Sequence, residues 1–141
     1  MNRDDDRERG SVTAFVAVFT VALIAVAGLV ADGGRIITAH REAFNEAEAA
    51  ARAGAQEVDI NALRAGTGVV LDPDAARQRA LDYLAGTGHD GTVEVDGDVV
   101  RVHVRITEDM TILGAFGIGP KTVEGEGEAR AVRGVTSGEE P

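Results

Sequence analysis

The sequence predicts an α+β protein in which a single N-terminal transmembrane helix continues into a long helix that packs on a small antiparallel sheet. Three observations predict this fold: a charge-free apolar run over residues 11–31, helical periodicity directly after it, and alternating apolar and polar residues in the C-terminal half. With 141 residues, the chain has room for one membrane segment and one small domain.

The apolar run reads SVTAFVAVFTVALIAVAGLVA and lies between Gly10 and Asp32. As a helix it is about 31 Å long, which matches the roughly 30 Å hydrocarbon core of a bilayer. A buried core helix is one alternative, but the remaining sequence has too few apolar residues to surround it. A cleaved secretory signal is another, although such signals usually have a shorter apolar region. We therefore expect a retained membrane anchor.

Arginines flank the run on both sides, so their number does not decide the orientation. We place the N-terminus in the cytoplasm, because the N-terminal amine adds positive charge there and the acidic remainder is typical of an exported domain. The predicted organisation is a cytoplasmic tail at 1–10, a transmembrane helix at 11–31, an extracytoplasmic domain at 32–133 and a flexible tail at 134–141.

Helical periodicity resumes after Gly33 and Gly34, which predict a flexible joint at the end of the apolar run. From Arg35 to about Asp59, apolar residues recur every seven positions, at Ile37, Phe44, Ala51 and Val58. Beside that line lie the small residues Ala43, Ala47, Ala50 and Gly54. Small side chains at this spacing allow a sheet or a neighbouring helix to approach closely, although alanine also simply favours helix.

A second helix and a hairpin follow. Asp72 reads as a helix N-cap with Pro73 in the first turn, and the helix presents Ala76, Ala80, Leu81 and Leu84 on one side before it ends at Gly86-Thr87-Gly88. Asp96-Gly97 predicts a two-residue turn within residues 92–107, which pairs Val95 with Asp98. The valines at 93, 100, 102 and 104 and Ile106 then share one face, opposite Glu94, Val99, Arg101, His103 and Arg105.

A third strand is predicted over residues 122–132. Its inner face is nearly bare, with Val123, Gly125, Gly127, Ala129 and Ala131, so a helix can lie close against it. Its outer face carries Glu124, Glu126 and Glu128, which we expect to face Arg101, His103 and Arg105 of the hairpin. Between the strands lies an apolar patch formed by Met110, Ile112, Leu113, Phe116 and Ile118. We expect a turn of helix or a loop that plugs the domain, with a partner-binding lip as the alternative.

The sequence offers little for chemistry. It has no cysteine, which excludes disulfides and thiolate sites, and its net charge of −10 argues against nucleic-acid binding. Residues 86–91 match GxGxxG but follow a helix and open a strand, the wrong order for a nucleotide site. The three histidines lack ligand spacing, no calcium-loop pattern surrounds Asp96, and the two serines lie in the apolar run and the C-terminal tail. We expect a non-enzyme without metal, nucleotide or other cofactor.

Three segments together resemble a known family: Arg9-Gly10-Ser11-Val12-Thr13, the end of the apolar run with Asp32-Gly33-Gly34-Arg35, and residues 46–55, which read EAEAAARAGA. They are similar to the N-terminal module of TadE/TadG-like proteins of the tight-adherence (Flp) pilus assembly machinery. The resemblance implies a pilin-like domain and a minor-pilin or assembly role in the bacterial cell envelope, with the bilayer and other pilus proteins as partners through helix packing.

The same resemblance assigns residues to roles. Asp32 and Arg35 match the family's juxtamembrane pair, with the alternative that they only mark the membrane boundary. Independently of the resemblance, the spacing of small residues places Ala47, Ala50 and Gly54 on the helix-packing side. Phe15 stands where prepilins of this family often carry an acid, so the resemblance implies a retained anchor of the TadG kind. The alternative function is a membrane-tethered envelope module that binds a protein or small ligand through the Met110–Ile118 patch.

Overall fold

The structure is a computed structural model that describes residues 3–66 and 70–131, with side chains from residue 11 onward. Gly66-Thr67-Gly68 predicts a loop that lies partly outside these residues, and the predicted tail at 134–141 lies wholly outside them. The elements are helices α1 (Arg3–Gly54), α2 (Ile60–Arg64) and α3 (Pro73–Thr87), strands β1 (Asp90–Asp96), β2 (Val99–Glu108) and β3 (Lys121–Arg130), and a short 3₁₀ helix (Leu113–Phe116) between β2 and β3.

The chain divides into two compact units. Among the described residues, the N-terminal unit combines 3–37 with 108–121, and the sheet unit combines 38–66, 70–107 and 122–131. Helix α1 therefore contributes to both units. The segment 108–121, which the sequence assigns to the extracytoplasmic domain, groups with the N-terminal part of α1.

Helix α1 is longer and more regular than the sequence predicts. It continues without interruption through Gly33 and Gly34, where a joint was expected, and it ends at Gly54 rather than near Asp59. A glycine costs a helix only about 1 kcal/mol, which interactions of the flanking residues can outweigh. Beyond Gly54, Val58 forms a β-bridge with Leu71, and the Asp59 carboxylate caps α2 by accepting from the amides of the second and third residues of α2.

Helix α3 confirms its start and stop signals. The Asp72 carboxylate accepts hydrogen bonds from the amides of Asp74 and Ala75, both at 3.1 Å, and Gly88 ends the helix with a φ of +80°. Three of the four residues predicted to face inward are buried: Ala76, Ala80 and Leu84. Leu81 was placed with them wrongly, since 38% of its surface is exposed.

The sheet has the order β1-β2-β3, and its hairpin register differs from the predicted one. Asp96 pairs with Val99 and Val95 with Val100, so the turn residues are Gly97 and Asp98. Gly97 has a φ of +61° and no other residue of the turn has a positive φ, as in turns that begin with glycine. Each β1 residue therefore pairs with a β2 residue two positions later than predicted. A shift by an even number of residues keeps the valines of both strands on the predicted face. Val99, expected on the outer face, is also buried.

The third strand and α1 pack as closely as the bare strand face predicts. A β-carbon at Gly125 would lie 2.2 Å from the carbonyl carbon of Ala43, and one at Gly127 would lie 2.3 Å from that of Ala47. The buried side of α1 is the line of small residues, whereas Ile37 and Phe44 of the seven-residue line are exposed. On the facing side of β3, only residues as small as glycine fit at positions 125 and 127, because backbone atoms of α1 occupy the space where their side chains would lie. The predicted α+β fold, a long helix on a three-stranded antiparallel sheet, is confirmed.

Candidate functional site at the end of the apolar run

The apolar run is exposed along most of its length, with Gly28 buried and Ala25 half-buried. Side chains such as Phe15, Val18 and Val30 keep 68%, 71% and 72% of their surface accessible. Among the described residues, α1 alone is long and apolar enough to cross a membrane, and its most apolar 18-residue window has a mean hydropathy of 2.7. Exposed apolar surface of this extent is typical of a segment that contacts lipid or other proteins.

Asp32 is the first residue after the run, and its carboxylate is buried with 1% of the residue's surface exposed. One oxygen, Oδ1, accepts a hydrogen bond from the amide of Thr111 at 3.2 Å. The other, Oδ2, accepts from the amides of Ile112 at 3.0 Å and Leu113 at 2.8 Å. Three consecutive backbone N–H groups thus converge on one charge, which stabilises a buried carboxylate.

These hydrogen bonds also set the protonation state of Asp32. The amide of Leu113 makes the largest contribution and lowers the pKa of the carboxyl below its ordinary value of 3.8. Burial opposes this shift, while the amides of Ile112 and Thr111 and the charge of Arg35 add to it. Asp32 is therefore ionised at neutral pH.

Arg35, one helical turn further, donates from its guanidinium Nη1 to Thr111 Oγ1. The two residues that the sequence singled out as a juxtamembrane pair are thus brought together on the same short segment of chain, residues 111–113. Their predicted position at the membrane boundary stays a prediction. The acceptor role of Asp32 was missed, because backbone amides carry no sequence signal; a lone acid directly after an apolar run was the only available indication.

The apolar patch between β2 and β3 contains a turn of helix, one of the two structures expected for it. Met110 is buried, Ile112 and Leu113 are half-buried, and Phe116 and Ile118 keep 49% and 41% of their surface exposed. Its predicted alternative role in binding a partner stays a prediction.

The small residues on the packing side of α1 lie inside the sheet unit. Ala47 and Ala50 are fully buried, and a β-carbon at Gly54 would lie 2.8 Å from the carbonyl oxygen of Ala76 in α3. His89 Nδ1, two residues beyond the end of α3, lies 3.0 Å from Glu46 Oε2 of α1, and both side chains are half-buried. This side of α1 is therefore occupied by the chain's own sheet and α3.

The outer face of the sheet carries the predicted charge pairs. Arg101 Nε lies 2.9 Å from Glu128 Oε2, and Arg105 Nε lies 2.8 Å from Glu124 Oε1. In the part of the chain that the structure describes, no three potential metal ligands cluster. The expected absence of enzymatic activity stays a prediction.

A family model described as "putative Flp pilus-assembly TadE/G-like" matches residues 10–57. No curated protein and no solved structure matches the chain. The matched segment covers α1 from Gly10 to its end at Gly54 and the three residues after it. It includes Asp32, Arg35 and the small residues of the packing side. The resemblance seen in the sequence is confirmed over residues 10–57, which match the TadE/G-like family model of Flp pilus assembly.

Proposed function

We propose that this protein is a membrane-anchored structural or assembly component of a bacterial Flp (Tad) pilus or a related secretion system, with a minor-pilin-like role and no enzymatic activity. The family match over residues 10–57 carries the proposal, and it supports involvement in Flp pilus assembly. The exposed apolar run supports the membrane anchor. The sheet unit, in which one long helix covers a small sheet, supports the comparison with pilins.

The packing of α1 indicates where other pilus proteins would bind. Ala47, Ala50 and Gly54 are covered by the chain's own sheet and α3, so they are not free to receive a neighbouring helix. By contrast, the large apolar side chains of the run, such as Phe15, Val18 and Val30, are exposed. Contacts with pilin helices would therefore form along the apolar run, inside the bilayer, where close helix packing drives association.

Deleting the gene tests this role. We expect fewer or shorter surface pili, and recovery when the full chain is supplied from a plasmid. A matched control supplies the chain with Ile60→Arg, a change at a side chain of α2 that is 58% exposed, and should restore pili equally well. Pili unchanged in amount and length after deletion would contradict the proposed function.

The proposed orientation places residues 1–10 in the cytoplasm and the domain at 32–133 outside. Because the chain has no cysteine, single cysteines report on orientation without background. In intact cells, a membrane-impermeant maleimide should label Asp82→Cys on α3 and should not label Asn2→Cys until the cells are lysed. If only Asn2→Cys were labelled in intact cells, the protein would have the opposite orientation to the one proposed.

A further inference from the structure

Side chains of the segment between β2 and β3 lie beside the apolar run itself. A β-carbon at Gly28, within the run, would lie 2.6 Å from Ile112 Cγ2 and 3.3 Å from Leu113 Cδ2. Gly28 precedes Asp32 by four residues, or about 6 Å along a helix. These two side chains therefore reach back past the charged end of the run to a level where α1 is entirely apolar.

The composition and the internal hydrogen bonds of this segment also suit an apolar environment. Residues 110–119 read MTILGAFGIG and contain no charged side chain. Backbone polar groups are costly in lipid unless they are hydrogen-bonded within the protein. Here the amides of 111–113 donate to Asp32, and those of Gly114, Ala115, Gly117 and Ile118 donate to carbonyls of residues 110–114.

We propose that residues 110–119 form an interfacial loop that is seated in the bilayer beside the exit of the transmembrane helix, with lipid as its binding partner. Phe116 and Ile118 supply the apolar surface that contacts the acyl chains near the headgroups. The loop is continuous with the apolar run through its contact at Gly28, so the lipid that covers the run also covers the loop. This inference rests on the proposed membrane anchor.

The absence of tryptophan from the chain permits a direct test. Single reporters Phe116→Trp and Ile118→Trp are introduced into the full-length protein, which is reconstituted in phosphatidylcholine nanodiscs with or without brominated acyl chains. Phe19→Trp, inside the apolar run, reports on the anchor. Tyr83→Trp, on α3 and 41% exposed, is the matched control for a partly exposed aromatic outside the loop.

We expect brominated lipid to remove most of the emission of the Phe19→Trp and Phe116→Trp reporters, and of Ile118→Trp, while Tyr83→Trp is unchanged and is quenched by aqueous acrylamide. If Phe19→Trp is quenched by bromine but both loop reporters respond only to acrylamide, the lipid contact is overturned and the anchor stands. Loop reporters with blue-shifted emission that neither quencher affects would show that the loop is buried within protein rather than in lipid and would also overturn it. If Phe19→Trp is not quenched by bromine, the anchor itself fails.

Discussion

Asp32 shows how one side chain can organise a distant segment. Its carboxylate is held by amides 79 to 81 residues away in the sequence, and its two oxygens accept all three hydrogen bonds. An asparagine of the same size has one acceptor oxygen and no charge, so it cannot replace these contacts. The charge is thus the feature of residue 32 that positions the loop at 110–119.

The pH dependence of this contact follows from the lowered pKa of Asp32. Because the folded-state pKa lies below the ordinary value of 3.8, ionised Asp32 stabilises the docked loop at every pH above 3.8. That stabilisation is lost as the pH falls through the lowered pKa. We expect the emission spectrum of the Phe116→Trp reporter to stay constant from neutral pH down to 3.8 and to shift only below it.

The matched control for this titration is the same reporter combined with Asp32→Asn. Without an ionisable group at residue 32, its loop should be held more weakly than that of the Asp32 protein above pH 3.8 and should show no transition below it. A transition of equal size in both proteins would assign the titration to another group and contradict the role of Asp32.

Gly28 offers a second test at the scale of one residue. Gly28→Ala places a methyl group against Ile112, so we expect the loop to be displaced and the amides of 111–113 to exchange hydrogen faster. Gly33→Ala has no atom within 4 Å of the added carbon and should stabilise the helix by about 1 kcal/mol. Hydrogen exchange measured by mass spectrometry compares the two, and equal exchange of these amides would show that the loop does not depend on Gly28.

At the scale of elements, the glycines of β3 explain why α1 and the sheet can approach so closely. Two helical residues of α1, Ala43 and Ala47, occupy with their backbone the positions of missing strand side chains at Gly125 and Gly127. The alternation of the strand and the spacing of the helix are both visible in the sequence, and together they predicted this contact. The outer charge pairs were predicted from the same alternation.

We expect Gly125→Ala to lower the free energy of unfolding by about 1–3 kcal/mol, since the added methyl group meets α1 backbone that cannot rotate away. Gly86→Ala is the control in the same unit. The added β-carbon would have no atom within 4 Å. Because Gly86 lies inside α3, the change to alanine should raise the free energy of unfolding by up to about 1 kcal/mol. Denaturant unfolding in detergent, followed by circular dichroism, measures both, and a neutral Gly125→Ala would argue against this packing.

At the scale of the whole molecule, the exposed apolar run decides where the protein resides. Arginine near the centre of a transmembrane helix costs about 2.5–3.5 kcal/mol per residue on insertion scales. We expect the double variant Val18→Arg with Val21→Arg to be released from membranes by carbonate, whereas the unchanged protein requires detergent.

The control for membrane release carries Ile60→Arg with Leu63→Arg on α2, where the side chains are 58% and 49% exposed. Like the test variant, it replaces two aliphatic residues by arginine, but both lie outside the apolar run. It should therefore stay with the membrane. Release of both double variants would show that added charge alone, rather than loss of the span, removes the protein from the bilayer.

Local physical chemistry determined much of this molecule from its sequence alone. The apolar run, the caps of α3, the alternation of the strands and the small residues of α1 depend on residues close together in the chain, and each was predicted. The family resemblance over residues 10–57 also follows from sequence. The predicted hairpin turn was wrong: it was placed one residue too early, because the sequence Asp96-Gly97-Asp98 does not determine which residue is the first of the turn.

Only the tertiary structure decided the rest. It showed that Asp32 receives three backbone amides, that α1 remains helical through Gly33 and Gly34, and that residues 108–121 group with the N-terminal part of α1. The physical reason is plainest for Asp32. Backbone amides are identical at every position except proline, so a contact between a carboxylate and the amides of a distant loop leaves no pattern in the sequence. Only the folded structure shows which loop makes that contact.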